Sequence, residues 1–271
     1  MHYGIEVVPF GEYANPRRVM ELAQAAEAAG WEAIWLWDHL LFPYGTGDPW
    51  VTLAAVAAVT EKLKLVTGVA ALPRYKPHVL ARTLVGLDLL SAGRVILGAG
   101  AGVDFDFTPF GEAADAKTRG AMLDEGLAML VGLLSSEPFT QHGRYYHAEN
   151  AQLVPGPVQQ PRIPVWIGGD SPAAYRRAAQ WDGWIIGTVD EAQNITLPPA
   201  QLAERVQTIR SRRTNDSPFD VAVDGCTQPN GAGLVAEYAD AGATWWFEAI
   251  FGTRGSHEDL LARIKAGPPR R

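Results

Sequence analysis

Asp38 and His39 are the one pair in the early part of the chain that could hold and move a proton. Histidine is the usual proton shuttle near neutral pH; the plainer reading is a satisfied structural histidine. Gly168-Gly169-Asp170-Ser171-Pro172 is the sharpest local signal. Ser171 ahead of Pro172 reads as a helix start, whose free N–H groups form an anion or phosphate site. Asp170 sits awkwardly beside a phosphate and suits a cap or a polar ligand group better. The alternative is an ordinary strand–turn–helix junction. Gly98-Ala99-Gly100-Ala101-Gly102 strips one face of a strand of side chains, which is costly unless something packs there. Asp104 and Asp106 follow, as a carboxylate pair or as a solvated loop. Near the end, Trp245, Trp246 and Glu248 share a strand, and alternation sends the two tryptophans to opposite faces. Walker, His-Glu-x-x-His, Gly-x-Ser-x-Gly and EF-hand sequences are missing, and the six histidines lack metal-ligand spacing, so no metal is expected.

Those residues need strands and helices to hold them, and short β-rich runs alternate with helical patterns throughout. The spacing predicts strands at 3–9, 33–37, 64–69, 94–100, 163–167, 184–186, 219–223 and 244–249. Helices are expected between them, starting at Asn15-Pro16, Pro49, Pro77 and Ser171-Pro172. Gly30 closes the first helix as a left-handed cap, and Ser256 with Asp259 forms a near capping box for the last. Eight strand–helix units in about 250 residues match a (β/α)8 TIM barrel, read as a single domain over 1–271. The first turn, Pro9-Phe10-Gly11-Glu12, has no dinucleotide fingerprint. A Pro-rich excursion at 135–164, between helix four and strand five, breaks the rhythm. As an αβ connection it should leave on the N-terminal face, which makes His142, His147 and its tyrosines structural. The tail, 267–271, reads as a frayed end.

Composition narrows the partners. The 271 residues carry 23 basic and 30 acidic side chains, a formal charge of −7, which argues against a non-specific nucleic-acid or anionic-membrane surface. Cys226 is the sole cysteine, so an intrachain disulfide and a thiolate metal site are excluded. The opening residues do not read as a signal peptide, and the longest weakly polar stretch, 48–60, falls short of the ~20 residues a membrane helix needs. A cytoplasmic protein is expected.

In this order and spacing, AAEAAGWEAIWLWDH (25–39), DPWVTLAAVAAVTEKLKLVTGV (48–69), LDLLSAGRVILGAGAG (87–102), RGAMLDEGL (119–127), PGPVQQPRIPVWIGG (155–169) and WDGW (181–184) resemble the bacterial luciferase-like oxidoreductases, which use FMN or the deazaflavin F420. The resemblance implies the same barrel. It implies that Gly68-Val69 forms a peptide bulge under the tricyclic ring, and that Asp38 meets the ring's polar edge. It makes His39 the base at the reactive face and Asp106 a polar contact to the ring. Gly168, Gly169, Asp170 and Ser171 would carry the phosphate. Asp38-His39-Leu40 stands where FMN users more often show Glu-His-His and lies closer to the deazaflavin users. Val103 replaces a carboxylate of the sugar-phosphate dehydrogenases, whose basic cluster is absent, and the loop after strand seven is too short for a luciferase lid.

The reading is an F420-dependent oxidoreductase, with FMN as the alternative cofactor, that transfers hydride to or from a small, largely apolar organic substrate. Phe10, Leu41, Phe42, Phe105 and Phe107 would wall that substrate, with Glu248 at the mouth. FMN use would bring monooxygenation and a flavin reductase partner; a homodimer packed through barrel helices is implied by the resemblance. Two readings of other classes remain: a glycosidase using two of Asp38, Asp104, Asp106 and Glu248, and a flavin-binding barrel without turnover.

Overall fold

The computed structural model describes residues 1–112, 115–227 and 231–269. Eight parallel strands close into a barrel: β1 (His2–Val7), β2 (Ala33–Leu36), β3 (Lys64–Thr67), β4 (Val95–Gly100), β5 (Val165–Gly168), β6 (Gly183–Ile186), β7 (Asp220–Gly225) and β8 (Trp245–Ile250). Each pairs with its sequence neighbours, and β8 pairs with β1, His2 facing Trp245 and Val7 facing Ile250. The helices are α1 (Pro16–Ala28), α2 (Pro49–Val59), α3 (Pro77–Leu90), α4 (Ala116–Leu134), α5 (Pro172–Ala178), α6 (Pro199–Arg210), α7 (Ala232–Asp240) and α8 (His257–Lys265). The strand–helix alternation expected from the sequence is therefore present, with strand ends shifted by at most two residues.

Strand parity sorts the core into two. Inward side chains, among them Trp35, Trp166, Trp245 and Phe247, fill the barrel; the outward set, among them Ile5, Leu36, Trp184 and Trp246, lies under the helices. The two neighbouring tryptophans of β8 do take opposite faces, and both are buried. Local chemistry fixes the helix starts. Asn15 Oδ1 accepts from Arg17 N, Ser171 Oγ from Ala174 N, and Ser256 with Asp259 forms the full reciprocal box. Gly30 has φ +83°, as a left-handed cap requires. Arg94 gave no sequence signal, yet its buried guanidinium donates to the carbonyls of Ala57, Thr60 and Leu63 and so ties the end of α2 to β4.

β3 ends at Thr67, sooner than expected; the Gly68–Val69 peptide that follows is cis, and the chain rejoins the sheet at Ala70–Ala71, opposite Ala99 and Gly100. The Pro-rich excursion contains an antiparallel hairpin, Phe139–His142 with His147–Ala151. It leaves the lower face but folds back along α4. The Phe139 ring sits over Gly132, and Glu125 accepts from the backbone N–H groups of Tyr145 and Tyr146. His142 and His147 stay exposed. In the tail, 270 and 271 lie outside the described residues. Among the described residues no helix is long and apolar enough to cross a membrane.

Candidate active site

A cavity of about 920 Å³ opens at the C-terminal ends of β2 to β6. Much of its wall is backbone: Gly68, Gly100, Gly102, Gly168, Gly169 and Gly187 all line it. The GAGAG run is bare for a reason the geometry supplies. A Cβ on Gly98 would stand 1.8 Å from the Thr67 carbonyl oxygen, and a Cβ on Gly100 or Gly168 would meet the Val69 side chain at 2.5 or 2.6 Å. Val69 thus fills the space two glycines vacate and forms a firm floor, while the glycine backbones leave flat walls that a planar ring can approach. Lys117 and Arg176 stand exposed on the rim, and Arg177 is held there by Asp124.

His39 lies at one edge of this cavity. Its Nδ1 is 2.6 Å from Asp106 Oδ2; its side chain is 23% exposed and that of Asp106 1%. A buried carboxylate only accepts, so Nδ1 carries the proton and Nε2 is left as the acceptor. Asp106 is fixed in turn: its Oδ1 accepts from the backbone N–H of Leu40 (2.9 Å) and Leu41 (3.3 Å). Arg74 binds both acids, with Nη2 2.6 Å from Asp38 Oδ2 and Nη1 3.5 Å from Asp106 Oδ2. The Tyr75 hydroxyl (2.8 Å) and Ala71 N (3.3 Å) also donate to Asp38 Oδ2. Burial and the neighbouring Asp38 push the Tyr75 hydroxyl far above its ordinary range, so it stays a donor.

A second cavity, of about 460 Å³, lies beside the first, and Trp37 lines both. Its aromatic wall includes Phe10 stacked on Phe42 at 4.1 Å, with Trp37 edge-on to Phe10 at 6.0 Å. At its base Glu6 and Asp224 are hydrogen-bonded to each other, both essentially sealed from solvent. Trp37 Nε1 donates to Glu6 Oε1 at 2.5 Å, and the backbone N–H of Thr188 donates to Asp224. Burial raises both carboxyls, Asp224 to about 6 and Glu6, further pressed by Asp224, well above the usual carboxylate range. One proton is therefore shared between them at neutral pH.

Residues 3–231 match the family model for the luciferase-like monooxygenase. The chain belongs to that family. It is 31% identical over 234 residues to the uncharacterised protein Rv0940c of Mycobacterium tuberculosis, covering 76% of this chain and 77% of that one. It is 35% identical over 204 residues to an F420-dependent glucose-6-phosphate dehydrogenase of Beutenbergia cavernae, covering 71% of this chain and 59% of that one. The F420-dependent tetrahydromethanopterin reductase of Methanopyrus kandleri superposes with a TM-score of 0.78 at 19% identity, over 98% of this chain and 96% of that structure; at that identity the likeness is one of fold.

For a luciferase-like chain, the residues expected from the sequence gather well. Asp38, His39, Gly68, Val69, Asp106, Gly168, Gly169 and Ser171 all line the larger cavity, and Phe10 and Phe42 line the smaller. Phe105 stands 5.1 Å from the His39 ring, ring centre to ring centre, and Leu41 is exposed next to Asp106's anchor. Others differ. Asp170 is not part of the cavity wall: its carboxylate takes Arg205 at 2.9 Å and the Tyr175 hydroxyl, and so pins α5 to α6. Glu248 is not at the mouth. Trp245 and Phe247 point inward, so parity sends Glu248 out under the helices, where it holds Arg254 (2.6 Å), Arg263 and Thr227. Phe107 is buried beneath Arg119. Asp104 pairs with Arg119 while Asp38 and Asp106 are bridged by Arg74, so the four acids proposed for a glycosidase form no facing pair. The sequence reading gave no role to Glu6, Trp37 or Arg74, and placed Asp224 at a strand end without assigning it one. One signal was available: with Ile5 and Val7 outward, Glu6 is a charge on the inner face of a barrel strand.

Proposed function

We propose that this chain is an oxidoreductase that works with the deazaflavin F420, with FMN as the alternative, on a small, largely apolar organic substrate. The observation that carries the reading is the His39–Asp106 pair at the edge of a cavity walled by glycine backbone. The deazaflavin is favoured by the F420-dependent dehydrogenase among the relatives. The residues present fit such a group: Val69 offers a packed floor, side-chain-free backbone gives flat walls, and Lys117 and Arg176 suit an anionic tail on the rim.

A bound deazaflavin or flavin supplies hydride exchange at its ring. The chain supplies the rest. His39 Nε2 accepts or returns the proton that accompanies the hydride, and Asp106 keeps the ring in the tautomer that leaves Nε2 free. Leu40 N, Leu41 N and Arg74 hold Asp106 still, so the base is fixed before any ligand arrives. Phe10, Phe42 and Trp37 wall the neighbouring chamber with aromatic surface that suits an organic substrate. A homodimer packed through barrel helices, a cytoplasmic location and, with FMN, a reductase partner complete the proposal. Parallel fluorescence titrations of the purified protein with F420 and FMN test it. Preference for F420 supports hydride transfer, preference for FMN moves the reading to an oxygen-consuming enzyme with a reductase, and binding of neither overturns it.

A further inference from the structure

The smaller cavity has a one-sided charge. Five acidic residues line it, Glu6, Glu12, Asp190, Glu191 and Asp224, and among the described residues no lysine, arginine or histidine does. Five aromatic rings line it as well: Phe10, Trp37, Phe42, Tyr44 and Phe251. The geometry at the base brings the charge to the substrate. Glu6 and Asp224 flank β8 on its two sides, and Ala249, inward by the alternation of Trp245 and Phe247, is small enough to let their carboxyl groups meet. A Cβ on Gly187 would lie 3.4 Å from Asp224 Oδ2, an ordinary van der Waals contact, so the Gly187 backbone packs close beside that oxygen.

No cation among the described residues balances this charge. Among the described residues, neither Glu6 nor Asp224 forms an ion pair with lysine or arginine. The groups facing the pair are otherwise neutral or already satisfied. Trp37 from β2 and Thr188 after β6 donate hydrogen bonds. The Cys226 thiol beyond β7 is pushed by burial to about 12 and carries no charge. The Tyr238 hydroxyl of α7 is given to the Leu197 carbonyl. Arg254 beyond β8 is spent on Glu248, and His39, across Trp37, on Asp106. A buried negative charge left without a partner is costly, and aromatic faces beside it add attraction for a cation and none for an anion.

We propose that this chamber selects a substrate bearing a positively charged nitrogen, an ammonium or iminium group seated among the aromatic rings and resting on the Glu6–Asp224 pair, and that it rejects phosphorylated and carboxylate substrates. This names the substrate class of the oxidoreductase proposed above and rests on that reading for its chemistry, but not for its test. It also separates this chain from the sugar-phosphate substrate in the name of its Beutenbergia relative.

The test is calorimetric titration of the protein without cofactor, using benzylammonium, benzyltrimethylammonium, benzyl alcohol and benzoate as probes. At pH 7.5 both cations should bind at least tenfold more tightly than benzyl alcohol, and benzoate more weakly still. Asp224→Asn should reduce the affinity for the cations at least fivefold and leave benzyl alcohol unchanged. In the unsubstituted protein, lowering the pH from 7.5 to 5 should weaken benzyltrimethylammonium, whose own charge cannot titrate, because the pair then becomes neutral. Benzyl alcohol or benzoate binding as well as the cations overturns the proposal, as does cation affinity unmoved by pH. The cofactor titrations fail or succeed separately, so loss of the oxidoreductase reading would be seen apart from loss of this one.

Discussion

Asp224→Asn isolates the energetic cost of the buried acid pair. Burial raises the Asp224 carboxyl from an ordinary 3.8 to about 6. Between those values the folded chain keeps a proton that the unfolded chain releases, so the folded state binds more protons and stability falls as pH rises. About two pH units at about 1.4 kcal/mol each amount to about 3 kcal/mol, present below pH 4 and lost by roughly pH 6. Asparagine does not titrate. Its carbonyl oxygen can still accept from Thr188 N, and its amide can donate to Glu6, so both native hydrogen bonds are kept. Glu6 stays raised by burial, but without the neighbouring Asp224 charge it is raised less, which adds to the variant's advantage at pH 7. The variant should therefore match the parent near pH 4 and exceed it by about 3 kcal/mol at pH 7, a rise of about 5–10 °C in melting temperature for a chain of this size. Thermal and denaturant unfolding of both proteins across pH 4–7.5 measures the difference. A difference that does not change with pH, or a variant less stable at pH 7, would refute the reasoning.

Three further outcomes follow from the site. His39→Ala should leave cofactor affinity within a few-fold but lower turnover by about 10²–10⁴, the range general acid–base catalysis supplies; steady-state kinetics with a matched binding titration checks this, and unchanged turnover removes His39 from the chemistry. Gly169→Trp should abolish cofactor binding, since φ is +114° there and an added Cβ already comes within 3.2 Å of Ala174; an unaltered dissociation constant places the ring and its tail elsewhere. Glu248→Gln should cost about 3 kcal/mol in unfolding experiments by leaving Arg254 and Arg263 without their buried partner, while turnover well below the melting point stays as it was. A large loss of turnover at intact stability would return Glu248 to the mouth.

The barrel was legible because each βα unit carries its own local punctuation: Asn15-Pro16, Ser171-Pro172 and Ser256 with Asp259 mark starts by side-chain chemistry that needs no distant partner. Asp38, His39 and the glycines were legible for a related reason, since the ends of barrel strands are where ligands sit and the glycines announce close backbone approach. What escaped was long-range or depended on parity. Glu6 and Asp224 meet across the whole length of the chain, and nothing near either one points to the other. Asp106 was expected at a ring edge; its stronger partner is the His39 imidazole, 67 residues earlier, and Arg74 ties it to Asp38 from a short turn with no motif of its own. Glu248 was misplaced because a strand of six buried residues shows no polar–apolar alternation, so sequence could not say which face was inward. The hairpin at 139–151 was hidden by its polar, exposed strands, too short to show a period.

The net charge of −7 is less informative than its division between the two cavities. Lys117 and Arg176 give the larger cavity a cationic rim, whereas among the described residues the smaller is lined by acidic and aromatic residues and by no cationic one. Trp37 is the wall they share, and it is tied to the acid pair through Glu6. An anionic ligand is steered to the first chamber and repelled by the second, so two ligands of opposite charge can occupy neighbouring places without competing for either. The stability lost to the acid pair then has a functional return. A barrel that needed only a packed interior would fill those positions with apolar side chains, as it does with Trp35 and Phe247 one layer below, and would gain about 3 kcal/mol by doing so. Keeping two carboxyls in contact, sealed from solvent and without a protein cation, makes sense where the missing positive charge arrives with the substrate.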